Sequence, residues 1–189
     1  MHRSAFLLGV SMALAALGAC NSEGGGNASG ADTSEAAKDG TASKTIAAGL
    51  PADGKFMTAA KAAGLDQTLA GSDSYTVLVP TDAAFAKLPA GTLDNPANPQ
   101  ARAQLTQILT YHILPGVVLA DDIGKAIDNS KGKAVLATMG GGTLAATREG
   151  GKVVFTDSKG QKATVGQADQ KYSNGVVHQI DSVLAPPQN

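Results

Sequence analysis

The chain has no tryptophan, one cysteine, four phenylalanines and three tyrosines. Aromatic residues make up 4% of its 189 positions and apolar residues 43%, so a core here is built from Val, Ile, Leu and a few Phe. A single cysteine excludes an internal disulfide and the paired-cysteine spacings of zinc sites and redox motifs. No run of Lys or Arg occurs, and the net charge of −1 comes from interspersed acids and bases. That excludes the basic footprint of a nucleic-acid binder and simple electrostatic adsorption to an anionic membrane. No H-x-x-x-H or G-x-S-x-G pattern is present, which removes the common signatures of helical zinc sites and of serine hydrolases. The length has room for one domain of ordinary size plus extras.

What is present is most specific at the N-terminus. Arg3 precedes an apolar stretch from Ala5 to Leu17 that is too short to span a bilayer and has the proportions of a secretory signal. It ends in Leu17-Gly18-Ala19-Cys20, which resembles the lipobox of bacterial lipoproteins. An ordinary signal peptide with a cysteine nearby is the competing reading, but it leaves an unpaired thiol in an exported protein. Lipidation of Cys20 consumes that sulfur as a thioether. The resemblance implies two or three acyl chains and durable membrane attachment, since one chain alone anchors only marginally. Asn21 stands where an Asp would signal inner-membrane retention, so the same resemblance favours the outer membrane, facing the periplasm or the cell surface.

From Asn21 to about Lys44 the chain is rich in Gly, Ser, Ala and small polar residues, with no hydrophobic period. Such a stretch cannot bury enough surface to offset its ordering entropy and reads as a tether spanning about 27 Å. The expected organisation is a signal at 1–19, a lipidated cysteine and tether at 20–44, and one domain at 45–187.

Within that domain, Phe56, Ala59, Ala60 and Ala63 mark a helix broken or kinked at Gly64. "SYTVLVPTD" predicts a strand from Tyr75 to Val79, stopped by Pro80, with Thr81 or Asp82 capping a short helix. That helix carries Ala84, Phe85 and Leu88 and is ended by Pro89. A turn-rich loop from Asp94 to Gln100 leads into a helix on which Leu105, Ile108, Leu109 and His112 share one face. The second half turns strand-like, at 113–119, 134–138, 143–147, 152–156, 163–165 and 176–184, with a short helix at 120–128. Glycine-rich turns separate these strands, and Asn174-Gly175 is expected to supply the positive φ angles of a tight turn. Helices early and strands late predict an α+β fold, with helices packed on a mainly antiparallel sheet or sandwich.

Three segments, in order, resemble the fasciclin (FAS1) domain family. "YTVLVPTDAAFAKLP" is similar to its first signature, "LTYHILPG" to its central Tyr-His motif, and "NGVVHQIDSVLAP" to its second signature. The similarity runs from about Lys44 to Pro187, with the signature positions at Thr81, Asp82, Phe85, Asn174, Gly175, His178 and Asp181. One departure is Gln170, where the family more often carries an apolar residue. The resemblance implies a FAS1-like α+β fold and a role in adhesion or protein–protein interaction. In animal relatives the Tyr-His region is implicated in integrin adhesion, which makes Tyr111 and His112 the partner-binding candidates by analogy. Some relatives bind carotenoids, so carriage of a small apolar ligand is the alternative.

His178 decides between an enzyme and a scaffold. Strand alternation puts it with Val176 and Ile180 on an apolar face, and Asp181 on the other. A metal site would need further ligands, and a catalytic triad would need a nucleophile context; neither pattern is found. The favoured expectation is a neutral core histidine, hydrogen-bonded inside the fold, with His112 packed inward to orient the turn at Pro115. No catalytic residue, metal or cofactor is assigned. The expected partners are a membrane, through the N-terminal lipid, and an unidentified envelope or extracellular protein or polysaccharide.

Overall fold

The fold is organised by two strands that are apolar on both faces. A computed structural model describes residues 43–87 and 98–187. The signal, Cys20, the tether as far as residue 42, Leu88, Pro89 and the loop up to residue 97 lie outside the described residues. Strand β1 (Tyr75–Pro80) and strand β7 (Gly175–Ile180) pair in parallel, in the register Tyr75↔Gly175 to Pro80↔Ile180. Their near-continuous apolar runs are what a strand covered on both sides requires.

Around this pair lie β2 (Ile113–Pro115), β3 (Lys133–Ala137), β4 (Thr143–Glu149), β5 (Lys152–Thr156) and β6 (Lys162–Tyr172). The order in the seven-stranded sheet is β2-β1-β7-β6-β5-β4-β3. All neighbouring pairs except β1–β7 are antiparallel. The sheet curls until its ends approach, and the Met139 N–H donates to the Ile113 carbonyl at 2.8 Å. The result is an α+β fold with a mixed, nearly closed sheet.

Six helices occur among the described residues: α1 (Ile46–Gly49), α2 (Lys55–Ala63), α3 (Asp66–Ala70), α4 (Asp82–Phe85), α5 (Pro99–Tyr111) and α6 (Ala120–Asn129). Local chemistry sets their ends. Gly64, at φ 76°, terminates α2 in the left-handed conformation, which is the break read from the sequence. Asn98 caps α5 by accepting the Gln100 N–H at 2.9 Å, with Pro99 at the first helical position.

Alternation along β1 feeds two cores. Val77 and Val79, with Val177 of β7, face Ile46, Phe56, Met57, Leu69, Leu105 and Leu109 in the helical layer. Leu78 and Ile180 face the inside of the curl, with Tyr111, Leu144, Phe155 and Leu184. Helix α6 closes that interior with Ile123 and Ile127, one turn apart on a single face. Each fully buried Leu, Ile or Phe contributes about 1.5–3 kcal/mol, so both layers depend on the β1–β7 pair that divides them.

Three expectations need correcting. The strand expected at 113–119 stops at Pro115, because Gly116 turns away at φ 83°. The strand expected at 163–165 is the eleven-residue β6, whose pairing with β7 slips twice between Val165 and Gln170. Asp169, at φ 59°, lies in the second irregularity; a bulge of this kind breaks the period of two and hides a strand from pattern reading. The ladder expected to Leu184 ends at Ile180, although Leu184 remains fully buried.

Candidate functional site

His112 and His178, the two histidines among the described residues, are completely buried, and their surroundings can be accounted for atom by atom. At His178, Nε2 lies 2.9 Å from the Val118 carbonyl, and Nδ1 accepts the Asp169 N–H at 3.1 Å. Nε2 therefore carries the proton and Nδ1 the lone pair. His112 holds the opposite tautomer. Its Nδ1 donates to the Ile108 carbonyl at 2.7 Å, and its Nε2 accepts the Leu184 N–H at 3.1 Å. All four ring nitrogens are spent on backbone groups. Among the described residues no hydroxyl is hydrogen-bonded to either ring, and neither ring nitrogen pair is left free to activate one.

These bonds join distant parts of the chain. His112 ties the end of α5 to the C-terminal segment. His178 ties β7 to the loop between β2 and α6, where Asp169 Oδ1 also accepts the Ala120 N–H at 2.8 Å. The buried Thr76 hydroxyl completes the clip, donating to the Gly116 carbonyl and accepting the Val118 N–H, both at 2.8 Å.

Burial holds the His112 pKa down at about 4, against opposing contributions from the Ile108 carbonyl and the Asp157 charge. Burial also lowers that of His178, partly countered by the Val118 carbonyl and Asp169. Protonation would set a donor against the donor already aimed at each lone pair. Because the folded values lie below the unfolded one, the unfolded chain binds the extra protons first. Stability is complete above pH 6.5 and falls as pH drops toward 4. At about 1.4 kcal/mol per pH unit, His112 alone accounts for about 3 kcal/mol over that interval. Urea denaturation at pH 7.5, 6.0, 5.0 and 4.5 should show this loss with an unchanged slope; flat stability down to pH 5 would contradict it.

The other signature residues are structural in distinct ways. Thr81, not Asp82, caps α4, its hydroxyl accepting the Ala84 N–H at 3.3 Å. Asp82 reaches across to accept the Lys55 N–H, the first of α2, at 3.0 Å. Phe85 is buried in the helical-layer core. Asp181 caps the sheet end, accepting the Thr164 N–H at 2.8 Å. Burial pushes its carboxyl up, but the Thr164 N–H, the Ser182 and Thr164 hydroxyls and the Lys87 charge outweigh this and hold it below its ordinary value.

The positive φ expected at Asn174 is absent, because Gly175 alone of the two takes it, at 149°. Asn174 is instead a buried connector. Its Oδ1 accepts the Ile46 N–H, and its Nδ2 donates to the Leu69 and Gly71 carbonyls, each at 2.8 Å.

Tyr111 and His112, the partner-binding candidates, have no exposed surface. The Tyr111 hydroxyl donates to the Thr143 carbonyl at 2.7 Å. In the folded domain neither side chain can touch a partner.

Sequence reasoning passed over Asp157. It is buried, its Oδ1 accepts the Lys159 and Gln161 N–H groups, and its Oδ2 accepts the Ala185 N–H. The signal was the Asp157-Ser158-Lys159-Gly160 turn, in which an Asp accepts backbone N–H groups two to four residues on. Among the described residues, no group of three His, Cys, Asp or Glu side chains converges as metal ligands.

Two accessible grooves lie elsewhere among the described residues, near the C-terminal ends of β1 and β7. One groove of about 310 Å³ is lined by Leu50, Phe56, Met57, Val79, Asp82 and Gln179, among others. Beyond α4, a second of about 430 Å³ is lined by Lys87, Asp157, Lys159, Gln161, Ser182 and Val183, among others. No helix among the described residues is long and apolar enough to cross a membrane.

Comparison with known proteins agrees with this architecture. The family model described as "Fasciclin domain" matches residues 54–186. "Protein sll1483" from Synechocystis is 38% identical over 142 residues, covering 75% of this chain and 72% of the relative. Transforming growth factor-beta-induced protein ig-h3 from Sus scrofa is 33% identical over 143 residues, 74% of this chain and 19% of that protein. Among solved structures, a FAS1 domain pair from the insect cell adhesion molecule Fasciclin I has a TM-score of 0.58 at 21% identity. That match covers 76% of this chain and 51% of the insect chain, and it bears on the fold alone.

Proposed function

The chain belongs to the fasciclin domain family, and from that premise we propose that it is a non-catalytic, lipid-anchored interaction module outside the cytoplasm, working in adhesion or protein–protein binding. The observation that carries this reading is the commitment of every histidine nitrogen in the domain to a backbone partner. Polar chemistry inside the head serves to hold it together, which suits a rigid body that presents a surface. Membership of the fasciclin domain family supports the reading by likeness. The anchor is supported by Arg3, the apolar stretch after it and the lipobox-like Leu17–Cys20.

Mechanistically, acyl chains on Cys20 hold the protein at the membrane, the tether gives reach, and the folded head meets the partner. The full-length protein in its host should partition with membranes and carry a diacylglyceryl thioether on Cys20 by mass analysis, whereas Cys20→Ser should appear in the soluble fraction. Detergent-extracted protein should bind at least one of host envelope fractions, purified matrix polysaccharide or host matrix in a saturable way. Retention on none of them would overturn the interaction reading.

Carriage of a small apolar ligand has one observation in its favour, the groove floored by Phe56, Met57 and Val79. Its volume is at the lower end of the range of about 300–1,000 Å³ for small-molecule sites, so a long polyene would keep most of its length outside. Absorbance of protein purified from its own host separates the two, since a bound pigment would colour it.

A further inference from the structure

The helical layer stops short of the C-terminal ends of β1 and β7, and the uncovered corner is the 310 Å³ groove. Its floor is apolar: Leu50, Phe56, Met57 and Val79 are each less than a tenth exposed. Its rim is acidic, because Asp53 and Asp82 both line it and both are exposed. Among the described residues neither carboxylate belongs to an ion pair. Asp82 uses Oδ1 on the Lys55 N–H, which leaves Oδ2 for another donor. Lys55 itself is not among the residues that line the groove. Gln179, next after Val177 on the same face of β7, also lines it and puts an amide where the core pattern would put an apolar residue.

An apolar floor beneath an acidic rim selects against two kinds of guest. A wholly apolar one would desolvate carboxylates without replacing their water, and an anion would be repelled. The fitting shape is an aliphatic stem that ends in a cation, the form in which Arg and Lys lie along apolar surface with the charged head at the edge. Arginine suits it better than lysine, because its planar fork pairs with carboxylates in a fixed geometry and is more weakly hydrated.

We propose that this groove receives an arginine side chain presented by a partner protein, the stem resting on Phe56, Met57 and Val79 and the guanidinium held by Asp53 and Asp82. The site gives the interaction-module reading a partner chemistry and rests on that reading for its biological setting.

The test uses the full-length chain carrying Cys20→Ser, isotope-labelled and followed by NMR, with three probes: N-acetyl-arginine amide, its uncharged isostere N-acetyl-citrulline amide, and N-acetyl-norleucine amide. Arginine amide should give saturable shifts at Phe56, Met57 and Gln179, and bind about fivefold more tightly than either neutral probe, the upper end of what an exposed ion pair supplies. Asp53→Asn should cut that preference to about twofold or less, with Asp82 alone remaining. The Asp53 side chain makes no hydrogen bond among the described residues, so the variant should fold, whereas Asp82→Asn also disturbs the start of α2.

No saturable shift in the groove, or equal binding of the neutral probes, overturns the proposal. The retention assay separates this from the module reading. If Asp53→Asn protein is retained on envelope or matrix material as well as the parent, the groove is not the partner's site, and the module reading stands. If arginine amide binds as expected but nothing is retained, the module reading falls by itself.

Discussion

Gly175→Ala is expected to leave a chain with no cooperative unfolding transition, a larger effect than any surface or ordinary core change in this domain. A Cβ at that position would overlap the Tyr75 carbonyl oxygen directly across the parallel pair and crowd the Ile46 side chain, and the backbone sits at φ +149°. The overlapped atom belongs to the backbone of the neighbouring central strand, so no rotamer change relieves it. Shifting β1 would disturb both cores at once. A loss of about 5 kcal/mol or more is expected, comparable with the whole stability of many domains. Far-UV circular dichroism with urea titration reads it directly, and a variant that unfolds cooperatively within about 1 kcal/mol of the parent would show that the pair tolerates separation.

Asn174→Ala should rank next. It strands the Ile46 N–H and the Leu69 and Gly71 carbonyls, groups that the side chain satisfies from within the helical layer. An unsatisfied buried polar group costs about 1–3 kcal/mol, and water entering the gap recovers part of that, so a net loss of about 3–6 kcal/mol is expected. Asn174→Asp keeps the size and the acceptor but turns a carboxylate toward two carbonyls; it should be no better than alanine near neutral pH. An aspartate variant as stable as the parent would mean that the donor bonds contribute little.

The two positions show how far reading the chain went. The helices at Phe56–Ala63 and Leu105–His112 and the strand from Tyr75 were legible because their apolar residues repeat at the helical or strand period. The break at Gly64 was legible because the glycine sits where a left-handed residue ends a helix. The α+β class followed from the order of those patterns. What could not be read was partnership across long separations. Nothing local distinguishes a last strand that pairs in a hairpin only from one that also lies parallel to β1. For the same reason Asn174 read as a turn residue, since its partners are more than a hundred positions away. His178 was placed on the correct face by alternation, but its bond to Asp169 depends on a bulge that erases the alternation of β6. The groove was illegible because it is defined by where the helical cover ends, which no single segment records.

The parallel pair has a consequence for when the protein becomes a protein. Tyr75 meets Gly175 a hundred positions later, and both cores are laid against that meeting. Contacts so far apart in the chain close slowly. Until Gly175–Ile180 comes into place, neither layer has its dividing wall, so the segments that precede it have little to collapse upon. Compaction of the whole head waits on the arrival of one distant strand.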